Sequence, residues 1–296
     1  MVKVKSIYKK IDDLRLRYYK TYCGKEELLK IISESEVSEQ VYNSNAIENS
    51  TLTLEETDKI LHQIDCDRFI SVREMFEAKN LARVISYIDE KAKEQELNLN
   101  MMLFLHKILI SNINDKIAGR FRNDNEFVRV GSHIAPNPKE VIGRLEEMLA
   151  KYYSTPSENI IKRIAKLHLV FEYTHPFCDG NGRIGRIINN YLLIREGYVP
   201  INIKFIDRQF YYEAFREFDW SNKTTIMEEI VGKSLTNSYH KRLAYLEGGE
   251  IMTLVEYAKR KKLSYPNLIN KAKRQTIEAF LEKGKWKIAI PETSKI

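Results

Sequence analysis

The stretch HPFCDGNGRIGR, residues 175–186, constrains the fold most, because it requires two helices to meet across one tight turn. Upstream, Ile160, Ile161, Ile164, Leu167, His168 and Phe171 recur at helical spacing. Downstream, Ile184, Ile187, Ile188, Tyr191 and Leu192 fall at i, i+3, i+4, i+7 and i+8, one apolar stripe. A helix is therefore expected to end near Tyr173 and another to begin near Arg183. Gly180 and Gly182 flank Asn181 and free the backbone to aim its N–H groups at one point, where the next helix adds its positive end. Arg183 and Arg186, one turn apart on the polar side of that helix, can close around a polyphosphate. Asp179 would repel phosphate unless a divalent cation bridged the two. His175 supplies a base that titrates near neutral pH.

The composition, 43% apolar and 30% charged over 296 residues, is that of a globular chain and not a disordered one. No apolar run approaches the roughly 20 residues that cross a bilayer. The N-terminal MVKVKSIYKKIDDLRLRYYK lacks the apolar centre of a signal peptide and reads as an amphipathic helix. Cys23, Cys66 and Cys178 are isolated, which indicates neither a disulfide framework nor a zinc site, and a reducing, cytoplasmic setting is expected. The net charge of +7 is carried by residues 251–296, where 11 Lys and Arg face 4 Asp and Glu, so the body of the chain is neutral.

Helical periodicity dominates, and repeats and low-complexity tracts are absent. Capping boxes are expected at Thr53–Glu56, Thr155–Glu158 and Thr253–Glu256, the second with Pro156 at the first helical position. Gly197 suits a left-handed helix end. Glu126–Val130 and Ser132–Ala135 around Gly131 predict a hairpin, and Trp286–Ile290 a further strand. The expected architecture is mainly α with short hairpins, with soft boundaries near 100, 240 and 250.

Residues 175–186 resemble the signature of the Fic family, HPFx(D/E)GNGRxxR, without departure. GRFRNDNEFVRVGSHIAPNP (119–138) is similar to the family's flap, and EAKN (77–80) and AKLHLVFEYTHPF (165–177) to its helical framework. The resemblance spans about residues 30–235. It implies a Fic helical bundle with a β-hairpin flap over 101–240, preceded by a helical region, 1–100. It also implies a protein adenylyltransferase, which moves AMP from Mg-ATP to a Ser, Thr or Tyr hydroxyl of a protein target. In that reading His175 takes the hydroxyl proton, and Asp179 holds Mg²⁺. Asn181 with the amides of Gly180 and Gly182 steadies the α-phosphate, while Arg183 and Arg186 neutralise the β- and γ-phosphates. Phe177 anchors the loop. Arg208–Tyr212 resembles the family's adenine border, which points to Tyr212; the family's usual Asn seven residues later is Asp219 here. Tyr211 and Tyr212 suit core and interface roles equally well. The flap, Arg122–Ile134, offers a strand edge on which a target segment can pair.

Ser44-Asn45-Ala46-Ile47-Glu48-Asn49 resembles the family's inhibitory motif (S/T)xxxE(G/N). The resemblance implies that Glu48 pairs bidentately with Arg186 and silences the enzyme, with Ser44 and Asn49 framing it. Removal of AMP from modified targets, another Fic phosphotransfer, or a nucleotide-sensing DNA-binding regulator are the alternatives. Residues 250–296 predict two short helices around Ser264-Tyr265-Pro266 and a strand, similar to helix-turn-helix modules of the winged or excisionase type. DNA binding, protein docking and a structural extension all suit its charge.

Overall fold

The computed structural model describes residues 2–130 and 133–290. It divides into two compact units, one of residues 37–231 and one that joins residues 1–36 to 232–296. No helix among the described residues is long and apolar enough to cross a membrane.

In the 37–231 unit, the end of α2 (Glu26–Ile47) leads to α3 (Leu54–Leu61), α4 (Val72–Lys91) and α5 (Leu99–Ile110). A two-stranded hairpin, β1 (Arg129–Val130) and β2 (His133–Ile134), precedes α6 (Val141–Ser154), α7 (Ile160–Thr174), α8 (Asn181–Arg195) and α9 (Arg208–Ser221). Thr53 starts α3 with the expected capping box: its hydroxyl accepts from the Glu56 N–H at 3.1 Å, and the Glu56 carboxylate accepts from the Thr53 N–H at 2.8 Å. Thr155 does not start α7. Its hydroxyl donates back to the Lys151 carbonyl and closes α6, while Asn159 caps Ile160–Thr174 by accepting from Ile161 N–H. The nearer Asn is the stronger competitor for the orphan amides.

The central helix is α8, packed against α7, α4 and α5. Its expected stripe of Ile184, Ile187, Ile188, Tyr191 and Leu192 is buried. Its polar side is buried too. Arg183 and Arg186 are only 4% and 7% exposed, because that side faces polar partners instead of water. Two guanidiniums in the interior are tolerable only when paired, and each has its carboxylate.

The other unit holds α1 (Val2–Tyr22), the start of α2 and most of α10 (Thr225–Leu246). It continues through β3 (Glu250–Thr253), α11 (Leu254–Lys261), α12 (Tyr265–Lys273), β4 (Ala279–Glu282) and β5 (Lys285–Ile290). The three strands form an antiparallel sheet in the order β3-β5-β4. Leu254, Ala272 and Ala279 make a small core with Tyr257, Ile269 and Trp286 packed on it. This segment is no loose tail: Glu282 takes Lys241 of α10 at 2.6 Å, and Glu278 takes Arg17 of α1 at 2.6 Å.

Candidate functional site

The loop from α7 to α8 is fixed by two left-handed residues. His175 closes α7 at φ 46°, ψ 61°, donating its N–H to the Phe171 carbonyl. This conformation costs a non-glycine residue about 1–2 kcal/mol, and Arg122 helps to hold it by donating from Nε to the His175 carbonyl at 2.7 Å. Gly180, at φ 80°, opens α8 without a side-chain cap from its own residue, so the first amides of that helix face an anionic group from elsewhere. A Cβ on Gly180 would come within 3.1 Å of Ile110.

The loop interior is pinned by side chains. Asn181 accepts from the Phe177 N–H and donates to the Phe177 carbonyl, both at 2.8 Å, so its amide is spent on the loop. Any contact of Asn181 with phosphate is left to its backbone. Phe177 is fully buried and stacks on His106 at 3.8 Å. The Nδ1 of His106 accepts from Gly119 N–H, which leaves the proton on Nε2 for the Asp179 carbonyl. Burial pushes this imidazole down to about 4, so it is neutral.

His175 has the opposite tautomeric freedom. Its Nδ1 lies 3.2 Å from the Glu172 carbonyl, which can only accept, so Nδ1 carries the proton and Nε2 is left to receive one. Burial, together with Arg122, lowers its pKa to about 4 against the opposing pull of the Glu172 carbonyl. The ring is an unprotonated base at neutral pH.

Around the start of α8 the charges interlock. Asp179 meets Arg73 at 2.6 Å and Arg183 at 3.2 Å, and Glu77 bridges Arg183 at 3.2 Å and Arg73 at 3.1 Å. Burial would raise the Asp179 carboxyl, but Arg183 and Arg73 outweigh it and hold it below the usual range. These groups line a cavity of about 290 Å³ together with Glu48 and Gly180.

Glu48 follows the end of α2, where Asn49 adopts the left-handed φ of 69°. Its Oε1 lies 2.9 Å from Arg186 Nη2. The expected bidentate fork is absent. Arg186 instead divides its donors, giving Nε to the Ser44 hydroxyl at 2.9 Å, Nη2 also to the Ser44 carbonyl at 2.8 Å, and Nη1 to Tyr211 at 3.3 Å. A Cβ on Gly182 would fall 2.1 Å from Glu48 Oε1, so this carboxylate rests on the first turn of α8. Asn49 accepts from Arg208 at 2.6 Å, and Tyr212 donates to the Ile47 carbonyl at 2.9 Å. Tyr212 therefore clasps the Ser44–Asn49 segment, and Tyr211 is buried against His168 and Arg186. Asp219 is exposed and borders a different cavity, of about 550 Å³, with Tyr173 and Phe218.

The flap is shorter than its sequence implies. The paired residues are Arg129 with Ile134 and Val130 with His133, the Ala135 N–H donates to the Val128 carbonyl at 3.0 Å beside them, and Gly131 and Ser132 lie outside the described residues. Phe127, Val130 and Ile134 are exposed along it. Arg122 belongs to the foundation instead of the docking edge. Buried at 4% exposure, it donates to the carbonyls of Thr174, His175, Glu126 and Pro136. Arg122→Ala leaves these acceptors without a partner and is expected to cost about 2–4 kcal/mol. Thermal unfolding followed by circular dichroism should show a midpoint lower by on the order of 10 °C; an unchanged midpoint would mean that water replaces the guanidinium.

Sequence reasoning missed Arg73, Glu77, His106 and Glu172 as parts of the site. Only EAKN hinted at Glu77. Glu172 Oε1 is buried with no hydrogen-bond partner, and burial, reinforced by Glu48, pushes its carboxyl up to about 8. It is thus neutral at neutral pH and adds no negative charge beside the cradle.

Residues 96–193 match the family model described as Fic/DOC family. Among curated proteins, the chain is 29% identical to a "Protein adenylyltransferase Fic" of Nematostella vectensis over 70% of its own length and 49% of that protein. It is 32% identical to the protein of the same name from Drosophila willistoni over 60% of its length and 36% of the relative. The chain thus spans less than half of each of these relatives. Among solved structures, Fic-1 of C. elegans superposes with a TM-score of 0.69 at 22% identity, covering 81% of this chain and 71% of that one. A Fic family protein from Desulfovibrio desulfuricans superposes with a TM-score of 0.68 at 20% identity, over 98% and 96% of the two chains. The backbone around His175 therefore has the fold of these solved Fic proteins, and residues 96–193, which hold the loop and both helices beside it, are similar to the Fic/DOC family.

Proposed function

We propose that this chain is a protein adenylyltransferase that transfers AMP from ATP to a hydroxyl of a protein. The observation that carries the reading is the unprotonated Nε2 of His175 beside the uncapped start of α8, a helix that also bears two buried arginines. A base, an anion nest and fixed positive charge are what in-line attack on a phosphoryl group requires. The curated relatives named protein adenylyltransferase support it.

In this mechanism the target hydroxyl loses its proton to His175 Nε2 as its oxygen bonds to the α-phosphorus. The bond from that phosphorus to the bridging oxygen breaks, and pyrophosphate leaves. The free amides at Asn181 and Gly182 hold the α-phosphate, while Arg183 and Arg186 neutralise the β- and γ-phosphates. The donors at the 290 Å³ cavity are carboxylate oxygens, which suit Mg²⁺, and one carboxylate suffices when phosphates complete the shell. Asp179 would hold the ion once Arg73 releases it, and the ion would screen the phosphate charge. Exposed Phe127, Val130 and Ile134 on the flap support docking of an extended target segment there. Tyr212 is left to border adenine only if the nucleotide loosens its hold on Ile47.

Glu48 is the built-in restraint. Its carboxylate occupies the positive end of α8 and one donor of Arg186, both of which the triphosphate needs. Incubating the Glu48→Gly protein with Mg²⁺, cell extract and either α- or γ-labelled ATP tests the reaction class. Relative to Glu48→Gly/His175→Ala in parallel, extra label on protein from the α position alone is expected; His175-dependent label from the γ position would replace AMP transfer with phosphate transfer.

A further inference from the structure

The segment 250–290 carries a surface that the transferase reading does not use. Its four described carboxylates are all engaged within the fold. Glu256 closes the capping box at Thr253, Glu250 pairs with Arg260, Glu278 with Arg17, and Glu282 with Lys241 and Lys287. Lys259, Lys261, Lys262, Lys271, Lys273, Arg274 and Lys285 stand exposed around them. Glu256 lies near enough to Lys259 and Lys285 to feel both, but each carboxylate already has its own partner, so most of the positive charge faces solvent.

The exposed side of α12 adds a pattern that charge alone does not. Leu268, Ile269 and Ala272 turn inward, and Asn267, Asn270, Lys271 and Arg274 recur at i, i+3, i+4 and i+7 as one outward stripe. These are the side chains whose donors and acceptors match base edges, Asn for adenine and Arg or Lys for guanine. The Ser264 side chain makes no capping bond, and because Pro266 has no N–H the donors left at the start of α12 are the Tyr265 and Asn267 amides. The β4–β5 turn, with Lys283 and Gly284 both at positive φ, projects Lys285 on a two-residue hairpin.

We infer that residues 250–290 bind duplex DNA, with α12 in the major groove and the lysines on the flanking phosphates. A protein partner would call for an apolar centre, whereas this stripe is amide and cation throughout. Duplex RNA is disfavoured because its major groove is too deep and narrow for a helix.

The test uses the full chain and a fluorescent duplex of about 30 base pairs of mixed sequence, read by anisotropy at about 50 and 200 mM salt. If about five phosphates are contacted, the affinity should fall roughly 500-fold between these concentrations. Lys271→Gln/Arg274→Gln keeps exposed, helix-compatible side chains and should weaken binding at least about tenfold and lower the salt slope by about two. A charge-matched control, Lys93→Gln/Lys116→Gln, should bind as the parent does. Absence of salt-dependent binding, an equal loss in the control, or equally tight binding of duplex RNA would each overturn the inference.

Discussion

Replacing Glu48 with glycine is expected to raise protein labelling from α-labelled ATP by about 10- to 150-fold. The estimate rests on one charge-assisted contact worth about 1.5–3 kcal/mol in favour of the closed arrangement. Two features place the effect in that range. Arg186 is buried and keeps its Ser44 and Tyr211 contacts when Glu48 is lost, so the guanidinium remains positioned and gains a free donor. Glu48 is itself more than a third exposed, so its removal leaves no cavity in the core. The thermal midpoint should move little. Labelling no greater than that of the parent would show that the Glu48–Arg186 pair does not restrain the reaction.

His175→Ala in the Glu48→Gly background should then lower labelling by about 10²- to 10⁴-fold, the usual contribution of a positioned base. Nucleotide binding should persist, because the amides of α8 and both arginines are untouched. A nucleotide-sensing regulator with no transferase activity would instead give binding without labelling in both proteins. The pH profile of the Glu48→Gly protein carries the same signature. With the His175 pKa lowered to about 4, the base is unprotonated above that value, so its contribution stays level near neutral pH and falls as pH drops through about 4. A decline centred near 6.5 would mean that the imidazole is hydrated and ordinary.

The local geometry of the candidate site was legible in the sequence. Two glycines around one Asn, followed by an apolar stripe, predict a tight turn into a helix, and the left-handed Gly180 and uncapped α8 are that turn. The apolar stripes of α7 and α8 were equally readable. What stayed hidden depends on which helices meet. Arg73 and Glu77 join Asp179 and Arg183 across about a hundred residues of sequence, and no spacing rule reports such a pairing. The same holds for His106, whose ring locks the loop between Gly119 and Asp179. Burial of Arg183 and Arg186 was hidden because amphipathic reasoning assigns the polar side of a helix to water, whereas α8 is enclosed on every side. Thr155 failed as a cap for a simpler reason: Asn159 lies nearer the first helical turn. The boundary expected near 100 also has no counterpart in the division at 36/37 and 231/232, because α3, α4 and α5 pack with the loop they support.

The most direct measurement is intact-mass analysis of the proteins in a cell extract incubated with Mg-ATP and the Glu48→Gly chain, with the Glu48→Gly/His175→Ala chain in parallel. An added adenylyl group on a protein in the first mixture and none in the second is the predicted result. A phosphoryl adduct, no adduct in either, or the same adenylyl adduct in both would contradict AMP transfer by His175.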